Sequence, residues 1–461
     1  MKVITTRRLR TVPAGIITAA AIASLAGPGT ASASLGTQCS GGPITGQGAA
    51  VEIVAQRVWT SNFNKSTDNF ACSGKQGSKE SPVVTYNGTS SGAGLKSWGE
   101  SGTLSGPVTG FAANNAYVAT AEAPNATQVK NITNQESTPT EKTLETLPVA
   151  QFSLAVYVNL PTGCTATSAP APGRLVLSDA TLQGIYAGTI TTWGQITDNG
   201  DTITGAGCSS DPITAVVRKE KAGTTNVLKK YLYLINKSTL TTASGSETWQ
   251  QLSEGSTLNI VWPTALSLVK TTAEGDNEEA KKVSETPGSI GYSNLAELRE
   301  TALFSGAGNG AGTAKFWVEI ENGSKGSGTK AKVTYADPST NGDTGPAASA
   351  NCKSTGYTNG SNPFPPPSVT GLWNEVTTAV PPSTVKEKSY TLCNFTYVLA
   401  FTTYSLLPST TLGEATSVDN FLKFVADKKG GQAELAGADY LAVPKGAVDT
   451  ALIAGAAAVQ F

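Results

Sequence analysis

The chain of 461 residues contains no histidine and one methionine, and only 15% of it is charged. Without histidine the usual serine-hydrolase triad is excluded, since its base is an imidazole. Zinc sites that use histidine and iron sites of the facial-triad type are excluded with it. Any metal would have to be held by carboxylates or thiolates, and no such cluster stands out. A long apolar run is also missing beyond the first thirty residues, so no further segment reads as a membrane span.

What is present begins with an export signal. Lys2, Arg7, Arg8 and Arg10 precede an apolar stretch from Val12 to Ala26, and Ala31-Ser32-Ala33 supplies small residues for cleavage. Residues 1–33 are therefore expected to be removed, and Gln38 before Cys39 does not suit a lipid anchor. Loss of those four basic residues, from 33 Lys+Arg against 34 Asp+Glu, takes the net charge from −1 to −5. Nucleic acid is not a natural partner of such a chain. Six cysteines, Cys39, Cys72, Cys164, Cys208, Cys352 and Cys393, include no C-x-x-C spacing. An even count in an exported chain points to disulfides. The expected pairing joins nearest neighbours in sequence, out of fifteen connectivities that six cysteines allow.

Gly88-Thr89-Ser90-Ser91-Gly92 matches the G-x-S-x-G pattern of a nucleophile elbow. The same turn can equally be a nest of backbone N–H groups for an anion. Three units repeat one local pattern. Ile44–Gly48 leads into helical spacing at Val51, Val54, Val58 and Trp59. Val83–Tyr86 reads as a strand, with a glycine turn and a helix from Leu95. Ile213–Val217 is a strand, and after the loop Arg218–Gly223 a helix opens at Thr224. Alternating strands and helices argue for an α/β fold with ligands at the loops that follow the strands. Each helix start offers unpaired N–H groups and the positive end of a dipole. Further along come a short helix between Ala180 and Trp193, a turn and strand at Pro287–Tyr292, a strand at Tyr390–Phe401 and a closing Ala-rich helix. Residues 305–382, rich in Gly, Ser, Thr, Asn and Pro, read as long surface loops with little regular structure.

In order, these segments resemble the phosphate-binding proteins of the high-affinity phosphate ABC transporter. Thr45–Val51 stands where the family has T-G-A-G-A-[ST]-F. Tyr86–Gly94 matches Y-x-G-x-G-S-[SG]-x-G, and Ala121–Pro124 loosely matches S-D-x-P. Leu182–Trp193, Ile213–Thr225, Pro287–Tyr292 and Tyr440–Pro444 match the family's later motifs. The resemblance implies a two-lobed periplasmic-binding-protein fold of type II. Lobe I would be 39–150 plus 395–461 and lobe II 151–394, with hinge crossings near Val149–Tyr157 and Tyr390–Tyr397. It implies an exported, monomeric receptor that captures phosphate or a related oxyanion in the interlobe cleft and delivers it to an ABC permease. No cofactor, metal or catalysis is implied.

By position, Ser91 would donate its hydroxyl and N–H. Arg218, oriented by Glu220, would pair with the anion. Gly223 and Thr224 would give N–H groups, and Thr224 a hydroxyl. Glu122 would accept the proton of a protonated oxyanion and so disfavour sulfate. Ala50, Val51 and Ala222 fall at the remaining contact positions. Ala50 and Ala222 replace hydroxyl donors, at a cost of up to about 3–6 kcal/mol, or roughly two to four decades in affinity. Two other readings stand beside this one. One is a surface or matrix protein that keeps the fold with weak or no binding. The other is a secreted hydrolase or phosphatase using Ser90 or Ser91.

Overall fold

A computed structural model describes residues 42–460 apart from 66–83, 102–114, 135–142, 170, 172, 198–199, 243–244, 250, 253–260, 265, 307–313, 326–331, 341–349, 353–356, 359–363, 369–372, 374–375, 379–388 and 405–409. These residues fall in one unit, Leu35–Phe461. Both the leader and Cys39 and Cys72 lie outside the described residues.

The first strand, β1 (Ile44–Gly48), runs through an uncapped 3₁₀ turn at Ala50–Glu52 into α1 (Ile53–Lys65). Gly48 is required where strand becomes helix: its φ is +144°, and a Cβ there would lie 1.9 Å from the Ala119 carbonyl oxygen. Next come β2 (Val84–Gly88), α2 (Ser91–Ser97), β3 (Tyr117–Thr120) and α3 (Ala126–Asn134). Strands β1 and β2 are parallel, as are β1 and β3. The second helix starts at Ser91, four residues before the expected Leu95. Gly92 and Gly94 weaken its helical pattern in sequence, and Ser90 starts it by accepting from the Ala93 N–H at 3.1 Å.

Two strands carry the sheet from one half of the molecule to the other. One is β4 (Leu144–Asn159), sixteen residues long and buried throughout. Its partner is the strand at Cys393–Phe401 near the chain's end. Pro148 has no N–H to give to a ladder. The register slips beside it, so that Ala150 faces Thr396 while Pro148 faces Tyr397. Val149 is the extra residue of this bulge, and its carbonyl is satisfied from outside the sheet by Gln432 Nε2 at 2.8 Å.

Beyond β4 come α4 (Asp179–Ala187), β5 (Thr214–Arg218), α5 (Gly223–Ile235), β6 (Lys270–Ala273), α6 (Asp276–Glu285), β7 (Ser289–Asn294) and α7 (Leu295–Glu300). Then follow β8 (Lys315–Trp317), β9 (Glu319–Lys325), β10 (Lys332–Ala336), β11 (the Cys393–Phe401 strand), α8 (Leu412–Ala426), β12 (Tyr440–Leu441) and α9 (Ala447–Ala458). The main sheet has the order β6-β5-β7-β4-β11-β3-β1-β2, with β8 and β12 also paired to β4. Strand β7 lies antiparallel to the far end of β4, from Asn294 opposite Leu154 to Ser289 opposite Asn159. Thus β4 pairs with β11 over its first two thirds and with β7 over its last third.

Among the described residues two disulfides join nearest neighbours in sequence, Cys164–Cys208 and Cys352–Cys393. The second ties the 305–382 stretch's far side to the start of β11. That stretch differs from the expectation of plain loops. It holds β8, β9, β10 and two short strands, Tyr357–Thr358 and Thr377–Thr378. Trp317, Ile320 and Trp373 within it are fully buried. Its apolar residues are too widely spaced among Gly, Ser and Thr to show a period, yet Phe316, Trp317 and Trp373 lie in the core.

Glu52 sits at the junction of β1 and α1, fully buried, and accepts from Gln56 Nε2 at 2.8 Å and from the Thr396 hydroxyl of β11. Burial pushes its pKa from 4.5 up to about 8, against the pull of those two donors. A carboxyl raised in the folded state adds stability that is complete below its unfolded value and is lost as pH rises through the folded one. Glu52→Gln keeps the shape without the charge. The variant's melting temperature, measured against the wild type from about pH 5 to about pH 8.5, is expected to gain steadily on it as pH rises. A difference that stays constant over that range would contradict a buried neutral Glu52.

Candidate functional site

The loops that follow β1, β2, β3 and β5 meet at one place. Ala49 donates its N–H to the Ala119 carbonyl at 2.9 Å, and Thr89 donates to the Gly48 carbonyl at 2.8 Å. Ala121 N–H donates to Ser91 Oγ at 3.0 Å. The β5 loop comes to them from the other half of the sheet: the Gly92 N–H reaches the Lys221 carbonyl at 3.2 Å. A Cβ on Gly223 would lie 2.6 Å from both Ser91 Oγ and Ala121 Cβ. The Val51 carbonyl accepts from Tyr440 Oη at 2.6 Å and Asn294 Nδ2 at 3.0 Å, which fixes the turn before α1. Ala50, Val51, Ser91, Glu122, Arg218, Ala222, Gly223 and Thr224 are all buried.

The donors divide into two kinds. Ser90 Oγ, of the G-x-S-x-G match, accepts from the Ala93 N–H at the cap of α2. Ser91 Oγ accepts from Ala121, and Thr224 Oγ1 accepts from Arg218 Nη1 at 3.3 Å. A hydroxyl that accepts in this way keeps its own hydrogen to donate. The two remaining helix starts carry no side-chain cap, with Ala49 and Ala222 at the N-cap positions. Their first-turn N–H groups are open to an anion, and the dipole of α5 favours one there.

Arg218 ends β5 and is buried with its charge. Its Nε donates to Glu220 Oε1 at 2.7 Å, and Nη2 also reaches that oxygen. Glu220 is held in turn by the Gly275 N–H at 3.1 Å. Glu220 thus lies against Arg218, the residue it was expected to orient. A second carboxylate was not expected: Arg218 Nη1 donates to Asp276 Oδ1 at 2.5 Å, from the first turn of α6. Behind it stand Glu279, whose Oε1 accepts from the Tyr292 N–H at 2.9 Å, and Glu297 of α7. Burial works to lower the Arg218 pKa, but Asp276 and Glu220 outweigh it and hold the guanidinium charged. Burial raises Asp276 despite Arg218, and raises Glu279 and Glu297 well above the carboxylate range. The Glu297 carboxyl lies beside that of Asp276: it works to lower Asp276, while Asp276 pushes Glu297 up.

Glu122 lies at the end of β3 beside the cluster, and its carboxylate takes a bond from Lys230 of α5. The preceding residue, Lys229, is buried and donates to the Leu252 and Val261 carbonyls at 3.1 and 2.9 Å. Burial lowers its pKa to about 7. Among the described residues no group of His, Cys, Asp and Glu is arranged to hold a metal ion, and no helix is long and apolar enough to cross a membrane.

This architecture, a twisted α/β sheet crossed by two long strands with strand-to-helix loops converging from both sides, is that of a two-lobed solute-binding protein. A family model described as a PBP superfamily domain matches residues 75–429, and the chain belongs to that superfamily. No curated protein sequence matches it. The chain is similar in structure to a high affinity periplasmic phosphate-binding protein (PfluDING) solved with phosphate, at 18% identity and a TM-score of 0.53. It is similar also to the phosphate-binding protein from Stenotrophomonas maltophilia, at 16% identity and a TM-score of 0.55, and to a human phosphate binding apolipoprotein, at 17% and 0.55. In all three comparisons 89% of this chain and 93% of the other are covered.

Gly223→Ala tests the meeting of the loops. The new methyl cannot be placed without moving Ala121 or Ser91. Overpacking of this kind is expected to cost about 1–3 kcal/mol in unfolding free energy, or to open the molecule and enlarge its radius of gyration in solution scattering. An unchanged variant by both measures would mean that these loops do not touch.

Proposed function

We propose that the protein is an exported receptor that captures inorganic phosphate, or a closely related oxyanion, where the β1, β2, β3 and β5 loops meet, and that it serves ABC-type uptake. The observation that carries this reading is the pair of hydroxyls Ser91 and Thr224. Each accepts from a neighbour and keeps a hydrogen to give, on either side of the Gly223 turn and next to a buried arginine. Arg218 supplies the charge, and the N–H groups of Val51, Ser91, Gly223 and Thr224 supply neutral donors at helix starts. Ala50 and Ala222 contribute backbone only. Glu122 accepts the hydrogen of a protonated oxyanion once Lys230 yields it, and so discriminates against sulfate. Phosphate is what the similar solved proteins are described as binding. The two disulfides suit an oxidising compartment, as the leader does. A hydrolase reading gains nothing from the geometry, because Ser90 caps its helix and no imidazole exists to activate either serine.

Calorimetric titration of desalted protein with phosphate is expected to show saturable binding at one site. Thr224→Val and Ser91→Ala should each weaken it by roughly tenfold to a hundredfold, the worth of one hydrogen bond to a charged group. Folded protein that takes up no phosphate at millimolar concentration would favour the alternative of a surface protein that retains the fold. Binding that both variants leave unchanged would place the site elsewhere.

A further inference from the structure

The guanidinium of Arg218 is nearly saturated before any ligand arrives. Arginine has five N–H groups. Nε and one N–H of Nη2 go to Glu220, and the two N–H groups of Nη1 go to Asp276 and Thr224. One hydrogen of Nη2 is left, whereas an oxyanion bound side-on needs two. Nη1 is the nitrogen turned toward Thr224, and therefore toward the proposed anion. Its acceptor there, Asp276, is itself an anion in the ligand's place. Glu220 is the poorer candidate for displacement, because the Gly275 N–H also holds it.

Asp276 also has somewhere to go. Its second oxygen, Oδ2, is buried beside the Glu297 carboxyl, and neither it nor Glu297 Oε1 takes a hydrogen bond from an N–H or hydroxyl group elsewhere in the protein. Both residues are 2% exposed. We propose that Asp276 is a built-in competitor for Arg218, which the captured oxyanion must displace, and that the Asp276–Glu297 pair takes up a proton as it is displaced. While Asp276 holds Arg218, the two carboxyls share one proton. Once the oxyanion takes over Nη1, Asp276 has lost its counter-charge in a buried place, and the pair binds a second proton from water. No charge is then left unpaired. The groups that face Asp276 favour this outcome. They are Arg218 and Glu220 from the β5 loop, Glu279 on its own helix, Glu297 and behind it Glu300 on α7, and Tyr157 on β4. Arg218 is the one cation among them, and burial raises Glu279 and Glu297 well above the ordinary carboxylate range. The inference rests on the proposed capture of phosphate and assigns Asp276 the setting of its affinity and its dependence on pH.

The test is calorimetry with inorganic phosphate at one pH in two buffers of different ionisation heat, which counts protons taken up per phosphate bound. Phosphate's own proton changes are the same for every variant and cancel in the comparison. Asp276→Asn is expected to bind phosphate about tenfold tighter or more, since one charge-assisted bond no longer has to be broken. It should also take up one proton fewer than the wild type. Glu297→Gln, which can donate to Asp276 without exchanging a proton, should lose the same proton and gain no affinity. Asp276→Asn with wild-type affinity and wild-type proton count would overturn the proposal and leave phosphate capture standing. So would weaker binding in Asp276→Asn. If neither the wild type nor folded Asp276→Asn binds, phosphate capture and the competition fall together.

Discussion

A charged guanidinium buried in a protein must be balanced, and much of this molecule's second half is arranged around that need. Arg218 ends a central strand with almost none of its surface in water. An isolated ion in that position would cost several kcal/mol even after relaxation. Glu220 and Asp276 lie in direct contact with it, one from the following loop and one from the start of α6. Two more carboxyls, Glu279 and Glu297, are packed behind, and burial favours their neutral form by raising them well above the carboxylate range. The strand, the loop and two helices are thereby fixed in relation to one positive charge.

The same balance shapes what the site can bind. With Arg218 already compensated, the proposed anion site holds little net positive charge, and what it offers an anion is a set of oriented neutral donors. These are the hydroxyls of Ser91 and Thr224 and the N–H groups at two uncapped helix starts. Such donors suit a desolvated oxyanion, because their geometry is set before the ligand arrives. The first half of the molecule contributes by holding its loops still. Gly48 allows the tight turn, Val51 is clamped by Tyr440 and Asn294, and neutral Glu52 ties the start of α1 to β11.

Much of the fold was legible in the sequence because its signals are local. Strand, glycine turn and helix recur three times, and the ordered motifs were enough to indicate the two-lobed fold. The candidate loops were legible for the same reason, and Ser91, Arg218, Gly223 and Thr224 do come together. What was not legible is long-range. Asp276 is separated from Arg218 by 58 positions, and Asp276-Asn277-Glu278-Glu279 has the composition of a solvated first helical turn. Nothing local shows that two of its four residues point inward at an arginine. The Lys230–Glu122 pair was hidden likewise, since α5 and β3 belong to different halves of the chain. The bulge at Pro148 and Val149 and the strands within 305–382 depend on partners far along the chain. Composition alone therefore hid the strands among the described residues of that stretch.

The most direct test of this account is the crystal structure of the protein grown with arsenate, whose anomalous scattering locates the anion without ambiguity. One arsenate should lie within hydrogen-bond distance of Ser91 Oγ, Thr224 Oγ1 and Arg218 Nη1, with Asp276 moved off the guanidinium. A molecule with no arsenate at these loops, and with Arg218 still bonded to Asp276, would contradict it.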